Sequence, residues 1–176
     1  MNALLLAAGY ATRLYPLTLN TPKPLLPVAG KPIAGYMVEQ LAAIPAVERL
    51  LVVTNARFAP HFRAWAAAEP SRFAIEVIDD GTSTNETRLG AVGDIAFTLG
   101  RHPELGAAPL FVLGGDNLVD FRLADLAGAF AGRNRPGRPA AVVALVRETD
   151  PRQLRRSGVV TLGTDRDAGD AGDAGE

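Results

Sequence analysis

Apolar runs of strand character alternate along this chain with segments of helical period. The runs at 3–8, 49–54, 73–78, 110–113 and 140–146 predict strands, and the segments at 33–44, 59–68, 88–99 and 123–131 predict helices, each bounded by proline, glycine or aspartate. Several of these strands are apolar throughout, the mark of burial on both faces. The pattern therefore predicts a three-layer α/β/α domain with a mostly parallel sheet. The basic stretch GRNRPGRP at 132–139 reads as a turn before the fifth strand, and 159–162 has strand character. From residue 163 onward no apolar period remains. The expected division is a core over 1–162 and a disordered Gly/Ala/Asp tail over 163–176.

Composition narrows the functional classes. With 176 residues, 48% apolar, and a net charge of −1, the chain suits one well-cored globular domain and implies no nucleic-acid partner. It has no cysteine and only two histidines, so disulfides, thiolate metal sites and a histidine cluster are excluded. The apolar start MNALLLAAGY has no basic leader and runs directly into polar residues, so it reads as a buried strand and gives no support for a membrane role. The cytosol is the expected compartment; the oligomeric state stays open. The tail carries a net −4, which leaves the body at +3, a balance that suits an anionic ligand.

Candidate chemistry gathers at the predicted carboxyl ends of the strands, where open α/β sheets bind ligands. In LLLAAGYATRLYPLT, residues 4–18, the small residues Ala7, Ala8, Gly9 and Ala11 let a ligand approach main-chain N–H groups, and Arg13 follows with a guanidinium suited to phosphate oxygens. A tight strand exit with a solvated arginine explains the fragment alone equally well. In TPKPLLPVAGKPI, residues 21–33, the prolines hold Lys23 and Lys31 on a stiff loop; Lys23 reads as a phosphate ligand and Lys31 as a solvated charge. In LFVLGGDNLVD, residues 110–120, Asp116 stands at a strand end as an oxygen ligand for magnesium facing a phosphate, against the plainer reading of a Gly-Asp-Asn turn. Asp120 reads as a cap for the following helix. Neither a P-loop nor a G-x-G-x-x-G fingerprint is present, which disfavours a reductase or methyltransferase on a similar sheet.

Taken together, these three motifs resemble the nucleotidyltransferases that make nucleotide sugars, the sugar-1-phosphate nucleotidylyltransferases, over about residues 2–162. The resemblance implies the Rossmann-like nucleotide-diphospho-sugar transferase fold. It also implies a reaction with Mg2+ as cofactor: a sugar-1-phosphate, or a similar phosphomonoester, attacks the α-phosphorus of a nucleoside triphosphate and pyrophosphate leaves. By the same resemblance Arg13 holds the pyrophosphate, Lys23 reaches the reacting phosphates, Asp116 binds magnesium, and Ala7, Ala8, Gly9 and Thr12 line the nucleotide.

Departures from the family pattern also matter. Ala11 stands where the commonest form of the motif has glycine, which asks whether the loop needs a positive φ. At 79–95, DDGTSTNETRLGAVGDI replaces the usual glutamine and Pro/Gly turn that read the base. Asn85 there offers an amide for a base edge and Arg88 a cation for a phosphate; capping of the next helix by this polar run is the alternative. The family's later glutamate-lysine-proline segment and second metal aspartate do not appear, so the chain reads as shortened at its C-terminus. The second functional class is accordingly a nucleotide-binding fragment or regulatory module without turnover.

Overall fold

In the computed structural model, residues 1–134, 141–145 and 149–155 are described. They fall into two compact units, Met1–Val142 and Val143–Glu176. The first unit holds a four-stranded sheet in the order β5-β4-β1-β6, built from β1 (Asn2–Leu6), β4 (Arg49–Thr54), β5 (Ala74–Asp79) and β6 (Leu110–Gly114). All pairings in it are parallel, with Leu4 opposite Leu51 on one side and Val112 on the other. A two-residue hairpin, β2 (Pro27–Val28) with β3 (Lys31–Pro32), stands apart from the sheet.

The pleat sorts the strand residues between two cores. Ala3, Leu5, Leu50 and Val52 face α1 (Ile33–Ala42), α2 (Ala59–Ala68) and α4 (Leu123–Arg133), while Leu4, Leu51, Val53 and Ile78 face α3 (Gly90–Arg101). Successive residues of one strand thus serve opposite layers, which is why the strands read as unbroken apolar runs. The expected α/β/α layering holds.

Several boundaries differ from expectation for physical reasons. β1 stops at Leu6 rather than residue 8, because the Ala7 and Ala8 carbonyls are taken by side chains of the neighbouring strand end. α3 starts at Gly90 rather than residue 88, since Gly90 has φ +76°, a left-handed entry that a residue with a side chain resists. The N-terminus of α4 is not capped by Asp120; Gln40 of α1 accepts from the Leu123 N–H (3.2 Å) and donates to the Phe121 carbonyl (3.2 Å). Residues 141–145, expected within a strand, carry no helix or strand, and Val143 and Leu145 are exposed. An apolar run becomes a strand only where a partner edge and a covering layer meet it. The readings for 159–162, the tail 163–176 and most of the 132–139 turn lie outside the described residues. Within the second unit, α5 (Pro151–Leu154) begins beside Asp150, whose carboxylate accepts from the Arg152 N–H (2.9 Å). No helix among the described residues is long and apolar enough to cross a membrane.

Candidate functional site

At the carboxyl edge of the sheet the loop 7–11 leaves β1 between two neighbours. The Ala7 N–H still donates to the Val53 carbonyl (2.8 Å), and on the other side the Gly115 N–H donates to the Leu6 carbonyl (2.9 Å). Gly115 is required by that closeness: a Cβ there would stand 2.8 Å from the Leu6 oxygen and 3.0 Å from Pro24. Beyond this point the loop is held through its carbonyls. The Thr54 hydroxyl donates to the Ala7 oxygen (3.2 Å) and the Asn55 amide to the Ala8 oxygen (2.9 Å). Asn55 is fully buried, and its own oxygen accepts from the Phe58 N–H (3.0 Å). Side chains at the end of β4 and just after it thus satisfy the Ala7 and Ala8 carbonyls.

Gly9 is exposed, and a Cβ built on it would meet nothing within 4 Å. Its missing side chain leaves open space above the backbone rather than relieving a clash. Ala11 has φ 47° and ψ 41°, so the loop does take a left-handed residue where the family's commonest motif has glycine. Its carbonyl accepts from the Leu14 N–H (2.9 Å) and the buried Thr18 hydroxyl (2.9 Å), which hold the strained conformation. Thr12 and Arg13 open the short 3-10 turn that follows, both exposed.

The remaining phosphate-side candidates meet one another. Lys23, in a 3-10 turn over Lys23–Leu25, places its Nζ 2.7 Å from Asp116 Oδ2, across 93 residues of sequence. Both side chains are part-exposed, so the pair contributes at most about 1 kcal/mol and opens cheaply when another anion or cation competes. Lys31 is not a solvated charge: it pairs with Glu39 and lies over the Tyr36 ring at 4.9 Å.

The segment 80–88 is organised differently. Asn85 and Arg88 engage each other, with the guanidinium donating to the Asn85 side-chain oxygen (2.5 Å) and carbonyl (3.2 Å). The Thr84 and Thr87 hydroxyls close their own turn, while Leu89, at the N-cap of α3, makes no side-chain capping bond. The polar run therefore does not cap that helix. Glu86 sits below the usual carboxylate range because its own backbone N–H and Thr84 favour the charged form.

Beneath this exposed loop lies a buried polar cluster that the sequence reading missed. Asp80, Thr82, Asp94 and Tyr10 are each less than a tenth exposed. Asp80 Oδ1 accepts from both the Thr82 N–H and its hydroxyl, each at 2.7 Å. Burial, then the neighbouring Asp80, pushes the Asp94 carboxyl up to about 6, and burial likewise raises the Tyr10 hydroxyl. The available signal was an aspartate amid the apolar positions of α3, a helix that exposes Val92 while burying Asp94 and Thr98.

A four-stranded parallel sheet with small-residue and acidic motifs at its carboxyl edge defines an open, parallel α/β class, and comparison narrows it. The family model "Nucleotidyl transferase" matches residues 2–170, and the chain belongs to that family. It is 36% identical over 124 residues to the mannose-1-phosphate guanylyltransferase catalytic subunit beta of Drosophila pseudoobscura pseudoobscura, covering 68% of this chain and 31% of that protein. A probable mannose-1-phosphate guanylyltransferase 2 of Arabidopsis thaliana is 30% identical over 148 residues, covering 81% of this chain and 38% of the relative. Among solved structures, a putative glucose-1-phosphate thymidylyltransferase from Bacillus anthracis superposes with a TM-score of 0.57 at 21% identity, over 76% of this chain and 51% of that one. A CTP:phosphocholine cytidylyltransferase from Streptococcus pneumoniae gives 0.52 at 24% identity, over 69% and 47%. The expected nucleotide-diphospho-sugar transferase fold is the observed one. The chain spans roughly a third of the length of these two curated relatives.

Proposed function

We propose that this chain binds a nucleoside triphosphate at the carboxyl edge of its sheet and transfers the nucleotidyl group to a sugar-1-phosphate or a similar phosphomonoester. The observation that carries this reading is the meeting of Lys23 and Asp116 beside the 7–11 loop. In the reaction an acceptor phosphate oxygen forms a bond to the α-phosphorus, the bond from that phosphorus to the bridging oxygen breaks, and its electrons leave with pyrophosphate. Such a displacement asks for positioning and charge neutralisation rather than covalent help.

The residues divide that work. Ala7, Ala8, Gly9 and Thr12 bring the ligand against the main chain, whose carbonyls are already occupied by Thr54 and Asn55. Arg13 has no hydrogen bond or ion pair among the described residues, so its guanidinium is free to take the pyrophosphate as charge builds there. Lys23 exchanges its carboxylate partner for a phosphate oxygen. Asn85 and Arg88 face the base side.

Among the described residues no group of three or more histidine, cysteine or acidic side chains could cage a metal. A single carboxylate at a phosphate site nevertheless fits Mg2+, which keeps waters and takes its other ligands from the substrate. Asp116 would hold it, and the ion would neutralise phosphate charge when bound.

The test is magnesium-dependent pyrophosphate release across the common nucleoside triphosphates and a panel of sugar-1-phosphates and phosphocholine, beside Arg13→Ala. GTP with mannose 1-phosphate comes first, because relatives are named for that chemistry. Release that needs one acceptor and collapses in the variant supports the reading; release unaffected by the variant sinks it. One observation favours a second reading: the chain spans so small a share of those relatives. On that reading it binds the triphosphate without turnover, and tight binding with no acceptor-dependent release is its signature.

A further inference from the structure

Three buried side-chain oxygens have no hydrogen-bond partner among the described residues: Asp94 Oδ1, Asp80 Oδ2 and Tyr10 Oη. They come from three segments, namely α3, the start of the 80–88 loop and the phosphate-side loop. The Asp94 and Asp80 carboxyls lie within hydrogen-bonding reach of each other, and the Tyr10 hydroxyl lies beside Thr82. As two carboxylates, neither aspartate can donate, and two like charges are held together out of water. One proton between them changes both facts, giving a donor, an acceptor and a single net charge.

We propose that Asp94 and Asp80 share one proton, and that this proton clamps the root of the 80–88 loop against α3 and the Tyr10 face of the phosphate-side loop. Asp94 is thus a positioning residue. Asp80 is well placed to transmit the clamp: its N–H donates to the Thr54 carbonyl (2.8 Å), and its Oδ1 holds both polar groups of Thr82. The Thr82 carbonyl in turn accepts from the Ala56 N–H (2.9 Å). Losing the proton sets two carboxylates against each other between the loop and α3. The other charges that bear on the cluster are Arg57, after β4, and Glu86, in the loop itself, which pull Tyr10 in opposite directions. Neither is hydrogen-bonded to the carboxyl pair: Arg57 donates to the Leu19 carbonyl, and Glu86 is exposed. An effect of the clamp on nucleotide affinity rests on the proposed function; the clamp itself does not.

The test is hydrogen exchange of amides 81–88 in the full chain without ligand, at pH 5 and 7.5 and corrected for intrinsic rates, in the wild type, Asp94→Asn and Asp80→Asn. A closed-state value of about 6 against an ordinary 3.8 predicts that protection in the wild type falls about tenfold between these pH values. In Asp94→Asn, which cannot ionise at that position, the drop should disappear; in Asp80→Asn it should shrink, because Asp94 is still buried but no longer faces a second carboxylate. Two variants guard against one failing to fold. Equal wild-type protection at both pH values, or an undiminished drop in the folded variants, overturns the clamp. Binding of the triphosphate panel is measured alongside. If none binds while the exchange pattern appears, the functional reading fails and the clamp stands; if one binds, its affinity should weaken several-fold over the same pH interval in the wild type alone.

Discussion

The loop proposed for the phosphate side of the candidate site and the loop proposed for its base side are built on opposite plans. On the phosphate side the loop is anchored from outside itself, by Thr54, Asn55 and Gly115 at two flanking strand ends, while the proposed cation Arg13 has no hydrogen bond or ion pair among the described residues and Lys23 holds only a cheap, half-exposed one. On the base side the visible polar groups satisfy one another within four residues, and the long-range anchor is a buried acid pair underneath. A site for phosphate needs charges held ready at fixed places, because phosphate offers the same target whatever the nucleotide. Discrimination among bases needs local shape, which a loop can vary without disturbing the sheet.

If that contrast is right, the largest effect belongs to the free cation. Arg13→Ala should lower acceptor-dependent pyrophosphate release about 10³-fold, as removal of an arginine that neutralises a leaving phosphate does elsewhere, with the thermal midpoint unchanged since Arg13 is exposed. A parallel loss of stability would mean the arginine is structural and would erase the distinction between the two sides.

The external anchor is tested next. Asn55→Ala strips the Ala8 carbonyl of its partner in a fully buried place, at a cost of about 1–3 kcal/mol, while the Phe58 N–H keeps the main-chain carbonyl of residue 55 (3.1 Å). Urea denaturation should show a loss of about 1–3 kcal/mol. A change below about 0.5 kcal/mol, the scale of ordinary surface substitutions, would mean that the loop does not depend on β4.

The buried acid pair gives a stability effect with a definite sign. Asp94 stands at about 6 in the folded state against 3.8 when unfolded, so between those values the folded chain binds the extra proton. Its contribution is therefore whole below about pH 3.8 and is lost as pH rises through about 6. Asp94→Asn should be more stable than the wild type by about 2–3 kcal/mol at pH 7.5, with the gap closing towards pH 4. A gap of constant size, measured by denaturant titration at both pH values, would show that the substitution acts through packing alone.

How much of this was readable from the chain follows from the range of the interactions. The strands and the helix at 59–68 were legible because their pattern is local and the pleat enforces it. Arg13, Lys23 and Asp116 stood out by residue type and motif, but the contact of Lys23 with Asp116 depends on two loops 93 residues apart. Asn55, just past the strand read at 49–54, gave no signal, since an asparagine that braces a foreign carbonyl looks like any turn residue. Asp94 was hidden for the same reason: hydropathy assigns an aspartate to the surface, and its neighbour Asp80 comes from the loop after β5. The 141–145 run misled because apolar character states a preference for burial and says nothing about whether an edge is available.

A smaller effect should distinguish the base-side loop from the phosphate side. Arg88→Ala removes the guanidinium that fixes the Asn85 amide on an exposed surface, where such contacts are worth at most about 1 kcal/mol. The expected outcome is a rise in triphosphate KM of no more than about five-fold, with narrower discrimination across the base panel. A loss of kcat comparable with that of Arg13→Ala would instead put Arg88 among the phosphate ligands.

The smallest effect probes the phosphate-side loop without touching a charge. Ala11 holds φ 47°, where an L-residue pays roughly 1–2 kcal/mol that glycine does not. Glycine also gives the unfolded chain more freedom, which offsets about 0.4–1 kcal/mol of that relief. Ala11→Gly should thus stabilise the fold by about 0.5–1 kcal/mol, seen as a small rise in the urea midpoint with the slope unchanged. Because Thr18 and Leu14 already fix the Ala11 carbonyl from both ends, turnover should change far less than with Arg13→Ala. Were the variant instead destabilised, the left-handed turn would not persist in solution, and the loop's readiness for phosphate would have to come from the ligand rather than from the anchoring strand ends.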